Sequence, residues 1–341
     1  MTTAITPNIP IRPFPETGNI HAIAIPLPAD TQLITANLFA VGSGPITLID
    51  TGPKFPGLLE FVGKRLNAAG FEFKDIERIV ATHGHVDHIG LAAQIRHAAG
   101  HPVDIFMHAE DFYLISTENY REDMWNKRAD MLLNLAGMPA DEVEKVKQRF
   151  RFFKSLYDPT DDIIFLEDGD VFSGNGFDLR VIHTPGHTAG SVCLYAESEK
   201  VLFSGDTMIK HITPNPLVEM NKARRQSDTY QSLPSFINSL DKLSREDIRW
   251  VFCGHGEYID DIHSVIATYK SHHRQRMDLI WKALKRKSRP LYQLIDDVFP
   301  VVPEGDTFLA ISEIAVHLEM LINENRAELI DEGPPALYRA L

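Results

Sequence analysis

Apolar and polar positions along the chain change their period several times, and each change predicts an element. Three short apolar runs with β-branched members come first, at residues 22–25, 33–41 and 46–49, and predict strands. The third ends in the polar turn Asp50-Thr51-Gly52. Over residues 57–69, Leu58, Phe61, Val62 and Leu66 fall on one face at helical spacing. Ile79-Val80-Ala81 then reads as the end of a strand, and Ile89, Leu91, Ala92, Ile95 and Ala98 return to helical spacing until Gly100 stops it. A strand at 103–107 follows. Strands first and then strand–helix–strand predict a mixed sheet with helices outside it.

From about 109 to 156 charged residues alternate with Phe112, Tyr113, Tyr120, Trp125, Met131, Leu132 and Leu135 in a helical pattern. Gly137-Met138-Pro139 breaks that pattern, so two inserted helices are expected. They read either as a plain structural hairpin or as a lid over a site, and the abundance of aromatics, including Phe150, Phe152, Phe153 and Tyr157, fits a lid bordering the site. Strands resume at 163–165, 171–172, 179–183, 192–196 and 201–204; a helix at 229–242 and a strand at 248–253 follow. The tail, 266–341, shows three amphipathic stretches, around Met277–Leu284, Leu291–Val298 and Ile311–Ile322, and then a strand pair at 327–330 and 336–339. The Pro-rich residues 1–20 are expected to run over the surface.

The length of 341 residues suits one large domain or a domain with a smaller companion, and 44% hydrophobic residues can fill a sizeable core. A formal charge of -13 argues against a chain that clings to nucleic acid or anionic membranes over its whole surface. A local basic stretch remains, Lys282, Lys285, Arg286, Lys287 and Arg289, which reads as a solvated helix face. Cys193 and Cys253 lie in apolar strand-like runs and read as buried small hydrophobes, so the chemistry of a metal site would rest on nitrogen and oxygen ligands. No secretory signal and no run long enough to span a bilayer are seen, and a cytoplasmic protein is expected.

The candidate chemistry concentrates in Thr82-His83-Gly84-His85-Val86-Asp87-His88, on a strand-to-helix loop. Alternate residues of an extended segment share a face, so His83 and His85 can point at one spot, while Asp87 and His88 can reach a second beside it. Gly84 is expected to give the backbone room to turn. Four ligand-type residues this close predict a metal site. Three later places repeat a strand, a short glycine-containing turn and a ligand-type side chain: His187 after 181–183, Asp206 after 201–203 and His255 after 251–253. Side chains at the C-terminal ends of several strands can converge at a sheet rim. Seven nitrogen and oxygen ligands exceed one tetrahedral zinc and suit two neighbouring metals.

These residues, in this order, resemble those of the metallo-β-lactamase-fold hydrolases. The glyoxalase II-like branch is more similar than the true β-lactamases, because Asp206 stands where the latter carry a cysteine. Residues 48–52 and the 184–191 turn also match, and the resemblance covers roughly residues 20–265. It implies an αββα sandwich, α/β in class, over 1–265 with the helical insert at about 109–156. The tail, 266–341, is similar to a winged-helix-like module. The resemblance gives one metal to His83, His85 and His187 and the other to Asp87, His88 and His255, with Asp206 bridging. Two divalent ions are implied, zinc first, with iron or manganese as alternatives. Asp50 then stands behind the metals and holds a ligand histidine in one tautomer, or else simply caps its turn.

In such a centre a water shared by the metals becomes the attacking hydroxide, and Asp87 orients it as well as binding metal. The expected reaction is hydrolysis of a small or medium ester, thioester or lactone, since an acidic chain with an aromatic insert favours a small organic substrate over a polyanion. The alternative is a phosphodiesterase or endoribonuclease of the same fold. No leaving-group acid is identifiable; Tyr258, Lys210 and His211 lie near the ligands in sequence and read as rim residues. The winged-helix order in nucleic-acid readers places a basic third helix in a groove, whereas here that helix holds Glu313, Glu319 and Glu324, so packing beside the cleft is expected. A homo-oligomer is left open.

Overall fold

The computed structural model of the chain describes residues 14–15, 19–27, 33–122, 124–174, 177–218, 230–303 and 305–341. Strands β1 (Ile20–Pro26), β2 (Thr35–Val41) and β3 (Ile46–Ile49) pair antiparallel in chain order. Strands β4 (Ile76–Val80), β5 (Asp104–His108) and β6 (Ile164–Leu166) extend that sheet in parallel. Helix α1 (Leu58–Ala68) links β3 to β4; α2 (Val86–Ile89) and α3 (Ala92–Ala99) link β4 to β5. A second sheet has the order β11-β10-β9-β8-β7, built from β7 (Val171–Gly174), β8 (Phe177–His183), β9 (Val192–Ala196), β10 (Val201–Gly205) and β11 (Trp250–Cys253). Its pairs are antiparallel except β10 with β11.

Period-2 alternation explains how the sheets stack. Phe39 and Val41 of β2, Val181 of β8, Val192 and Leu194 of β9, Phe203 of β10 and Phe252 of β11 meet between the two sheets. Their neighbours point the other way. Leu38, Ala40, Leu48 and Ile79 pack under Leu58, Val62, Leu66 and Ile95 of α1 and α3. Ile182, Cys193, Leu202 and Val251 pack under α7 (Ser232–Leu243) and the start of α8 (Ile262–Arg286). The result is a four-layer αββα sandwich. Strands buried on both faces read as unbroken apolar runs, as β9 and β10 do. Cys193 in β9 and Cys253 at the end of β11 are free and fully buried, and burial pushes their thiols up to about 11 and about 12. Phe14 departs from the expected surface run: its ring packs edge-on against Phe39 and Phe252 at 5.4 and 4.9 Å. The rest of residues 1–18, apart from Pro15, lies outside the described residues.

The insert and the tail share one core. After a 3-10 turn at Ala109–Leu114 come α4 (Thr117–Glu122), α5 (Met124–Leu135) and α6 (Ala140–Lys154), with the break at Gly137–Pro139 where the pattern placed it. The tail carries a 3-10 turn at Leu291–Leu294, α9 (Ile295–Val298), α10 (Thr307–Asn323) and a hairpin of β12 (Ala327–Asp331) with β13 (Leu337–Ala340). Ala129, Leu133, Val143 and Val146 of α5 and α6 are buried against Met277, Ile280, Leu294, Ile311, Ile314 and Leu318. The division expected at 265 falls inside α8, whose first turns serve the sheet-covering layer and whose last turns serve this second core. Truncating Ile311, fully buried, to Ala is expected to cost about 2–5 kcal/mol. Leu309→Ala, on the same helix but 40% exposed, should cost under about 1 kcal/mol. Equal shifts in chemical denaturation for the two would contradict this packing.

Between α8 and α10 lies a second histidine cluster. His317 donates from Nδ1 to the Glu313 carbonyl and accepts at Nε2 from His273 Nδ1 at 3.0 Å. His272 and Arg276 engage the Glu313 carboxylate. Burial and the neighbouring positive groups hold His273 down to about 2, and burial chiefly holds His317 down to about 4. A depressed histidine leaves stability intact above the unfolded value near 6.5. As pH falls from there towards about 4, the unfolded chain binds protons that the native chain refuses, and stability falls. A lower denaturation midpoint at pH 5 than at pH 8 is expected, with the difference reduced in His317→Gln. An unchanged pH dependence in that variant would contradict it.

Candidate metal centre

All the ligand-type residues named from the sequence come together at one edge of the sandwich, at the C-terminal ends of β3, β4, β8, β10 and β11. His83 and His85 follow β4, and α2, a single turn, carries Asp87 and His88. His187 lies on the turn after β8, Asp206 directly after β10 and His255 two residues after the end of β11. Two sets of inward atoms result. His83 Nε2 and His187 Nε2 approach His85 Nδ1 to 2.9 and 3.1 Å. Beside them, His88 Nε2 and His255 Nε2 lie 3.2 Å apart, and Asp87 Oδ2 is 3.4 Å from His255 Nε2. Asp206 stands between the sets: Oδ1 is 3.4 Å from His88 Nε2 and 3.3 Å from His255 Nε2, and Oδ2 is 3.6 Å from His187 Nε2.

Outward hydrogen bonds fix which ring nitrogen faces in. Asp50 Oδ2 takes the Nδ1 proton of His88 at 2.8 Å. The same carboxylate accepts the Thr82 amide at Oδ1 (2.8 Å) and the Thr82 hydroxyl at Oδ2 (2.9 Å). Having donated to Asp50, Thr82 Oγ1 accepts His83 Nδ1 at 3.2 Å. The Asn215 carbonyl takes His187 Nδ1 at 3.0 Å, and the Thr35 carbonyl takes His255 Nδ1 at 2.6 Å. Asp50 is buried and does more than cap a turn; its backbone sits at φ 58, a left-handed conformation that Asp tolerates better than most residues.

The electrostatics divide along the same line. Burial, aided by neighbouring imidazoles, holds His83 well below its usual value and His85 at about 3; burial also lowers His187. These rings are neutral at pH 7 and keep lone pairs for a cation. Burial opposes charge on His88 and His255 as well, but Asp206, with Asp50 behind His88, outweighs it and raises both. The two imidazoles in turn hold the Asp206 carboxyl well below the usual carboxylate range against its burial.

The residues fit a pair of divalent cations. His83 and His187 spend their ring protons outward, so their lone pairs face each other across His85, an arrangement that a cation makes favourable. Asp206 Oδ1 is buried, and the imidazoles of His88 and His255, at 3.4 and 3.3 Å and both raised by this carboxylate, supply the positive charge beside it, a place that a cation can take.

Several supporting residues escaped sequence reasoning. Thr35 and Asn37 of β2 clamp the His255 loop: Asn37 Nδ2 donates to the Cys253 and Gly256 carbonyls at 2.9 Å, and the Gly256 amide donates to Thr35 Oγ1 at 3.0 Å. Two polar residues two apart in an otherwise apolar strand were the available signal. Asp111 joins the His83–His85 loop to the His187 turn and had no distinguishing signal. Gly84 is required for a different reason from the one expected. Its φ is not positive; a Cβ there would lie 2.7 Å from Leu114 Cδ1 and 3.0 Å from the Asp111 carbonyl, so the start of the insert presses on the loop. The aromatics of the insert divide. Phe112, Tyr113, Tyr120 and Tyr157 pack on the core of the first sheet, Phe150 packs edge-on to Phe308 of the tail, and Phe152 is 52% exposed. Trp125 lies outside the residues whose side chains are described.

Comparison with known proteins follows the same outline. The family model for the Metallo-beta-lactamase superfamily matches residues 31–255. The chain belongs to this superfamily. Within the metallo-beta-lactamase superfamily, it is 28% identical over 332 residues to "Probable metallo-hydrolase YqjP" of Bacillus subtilis, covering 95% of this chain and 99% of that one. The crystal structure of the metallo-beta-lactamase family protein TTHA1429 from Thermus thermophilus matches with a TM-score of 0.79 at 27% identity, covering 95% of this chain and 99% of that one. The tail beyond the superfamily match is therefore largely shared with both. Human acyl-coenzyme A thioesterase MBLAC2 is 32% identical over 180 residues, 51% of this chain and 58% of that one.

Proposed function

We propose that the protein is a binuclear metal-dependent hydrolase that cleaves a small or medium ester, thioester or lactone. The observation that carries this reading is Asp206, whose two carboxylate oxygens face the two sets of inward nitrogens. His83, His85 and His187 would hold one ion and Asp87, His88 and His255 the other, with Asp206 shared. Zinc is the first choice, with iron or manganese as alternatives. When bound, such ions supply an acidified water and a Lewis acid at the scissile group. The chain's own residues do the positioning. Asp87, whose side chain is 22% exposed, is the most open carboxylate of the set and orients the attacking water. Asp50, the Asn215 carbonyl and the Thr35 carbonyl keep the rings of His88, His187 and His255 turned inward. The partial likeness to a thioesterase supports the acyl substrate class.

The nuclease alternative gains little from the basic stretch. Arg286 and Arg289 both engage Asp297, and Lys285 lies over the Trp281 ring at 4.7 Å. In α10, Glu313 is turned inward to Arg276 and His272. We assign the tail, read as a winged-helix-like module from its helices followed by a hairpin, a packing role. Asn215 Nδ2 donates to the Leu309 carbonyl and the Val218 backbone amide to Ser312 Oγ, so α10 backs the segment that orients His187. The test is metal analysis together with a panel of thioesters, lactones, aryl esters and bis-aryl phosphodiesters. Turnover of one acyl class with two ions per chain is expected. Efficient cleavage of single-stranded RNA with every ester and lactone untouched would reverse the reading.

A further inference from the structure

Among the described residues three aspartates are buried, Asp50, Asp111 and Asp206, and the function proposed above uses only the first and last. Asp111 sits in the 3-10 turn at the start of the insert, directly after β5. Its Oδ2 accepts the Gly84 amide at 2.9 Å and the Thr188 hydroxyl at 2.7 Å, and its Oδ1 accepts the Gly190 amide at 2.8 Å. Gly84 lies between His83 and His85, and Thr188 follows His187. One carboxylate thus ties together the two loops that present the three-histidine set. The contact is tight as well as polar, since a Cβ on Gly190 would lie 2.6 Å from Asp111 Cγ. The other set is fixed by different groups, Asp50 at His88 and Thr35 with Asn37 at the His255 loop. Hydrogen bonds to an ionised carboxylate are roughly twice as strong as neutral ones, so this tie is stiffer than an amide or hydroxyl would make it.

We infer that Asp111 is a positioning residue that sets the spacing between the His83–His85 loop and the His187 turn, and so tunes the three-histidine metal site selectively. The inference rests on the binuclear reading. Asparagine at 111 offers one acceptor oxygen in place of two and turns an NH2 group towards at least one of the three donors. Val at 188 removes one donor and leaves the carboxylate in place.

The experiment measures stepwise zinc affinity by chelator competition, and melting of the metal-free protein, for wild type, Asp111→Asn and Thr188→Val. The affinity of one of the two ions should fall about 10–100-fold in Asp111→Asn. That ion should be the one lost in His187→Ala, and the other affinity should stay within about threefold. Thr188→Val should show a smaller loss at the same site. If Asp111→Asn does not fold, Thr188→Val decides, and unchanged affinities there overturn the inference. Lower melting temperatures with both affinities unaltered, or an equal loss at both sites, also overturn it. Wild type that saturates with a single ion would instead overturn the binuclear reading, and this inference with it.

Discussion

On the binuclear reading, alanine at His187 is expected to leave a folded protein that binds one metal ion fewer and loses roughly 10³-fold or more in kcat/KM, since metal-derived stabilisation of several kcal/mol converts at about 1.36 kcal/mol per tenfold. The fold should survive because the turn does not depend on the imidazole. The Gly186 amide donates to the Thr188 carbonyl and the Leu217 amide to the His187 carbonyl, both backbone contacts that alanine keeps. Gly186 is also pressed against Phe236 whatever follows it. The metal should go because the set then falls from three side-chain nitrogens to two, below the complement of a catalytic zinc. Circular dichroism, metal content after dialysis and kcat/KM on the best substrate of the panel check the three parts. A variant that keeps two ions and wild-type activity would remove His187 from the centre.

Alanine at Asp50 is expected to lower both stability and metal affinity, although on the proposed reading this residue binds no ion. Its removal strands three buried donors, the His88 Nδ1–H, the Thr82 amide and the Thr82 hydroxyl. Each stranded donor costs about 1–3 kcal/mol before relaxation, so a loss of roughly 3 kcal/mol or more is expected. The left-handed backbone at φ 58 adds about 1 kcal/mol against alanine. Freed from Asp50, the His88 ring can turn and present the wrong nitrogen, and metal affinity should fall about 10–100-fold. Asp50→Asn separates the two effects. Asparagine accepts the left-handed backbone but offers one acceptor oxygen, so it should recover part of the stability and little of the metal affinity. Denaturant midpoints of the metal-free proteins and zinc competition measure these separately. Full metal affinity in Asp50→Asn would mean that His88 is held by something other than this carboxylate.

What was legible in the sequence is what local chemistry carries. Ligand-type side chains are rare at the ends of apolar strands, so His83, His85, Asp87, His88, His187, Asp206 and His255 stood out one loop at a time, and the structure brings all seven to one edge. A mixed sheet with helices outside it was legible from the order of the apolar runs, whereas the four-layer sandwich was only what the family resemblance implied. Three things were decided only by tertiary structure. The partners that orient the histidines lie far off in the chain: Asp111 is 77 residues from Thr188, and Asn37 is 219 from Gly256. Asp111 looks like an ordinary turn residue, and Thr35 and Asn37 stand out only as polar positions in an apolar strand; nothing in their own neighbourhood says which distant backbone group they will meet. The periodicity of α8 showed a helix and one apolar stripe, but periodicity cannot say which core each turn enters, and its two halves enter different ones. For the same reason the insert and the tail, each plainly helical by pattern, gave no sign that they would bury their apolar faces against each other. Hydrophobic burial is non-directional, so an amphipathic stripe specifies that a face must be covered, and only the packed chain specifies by what.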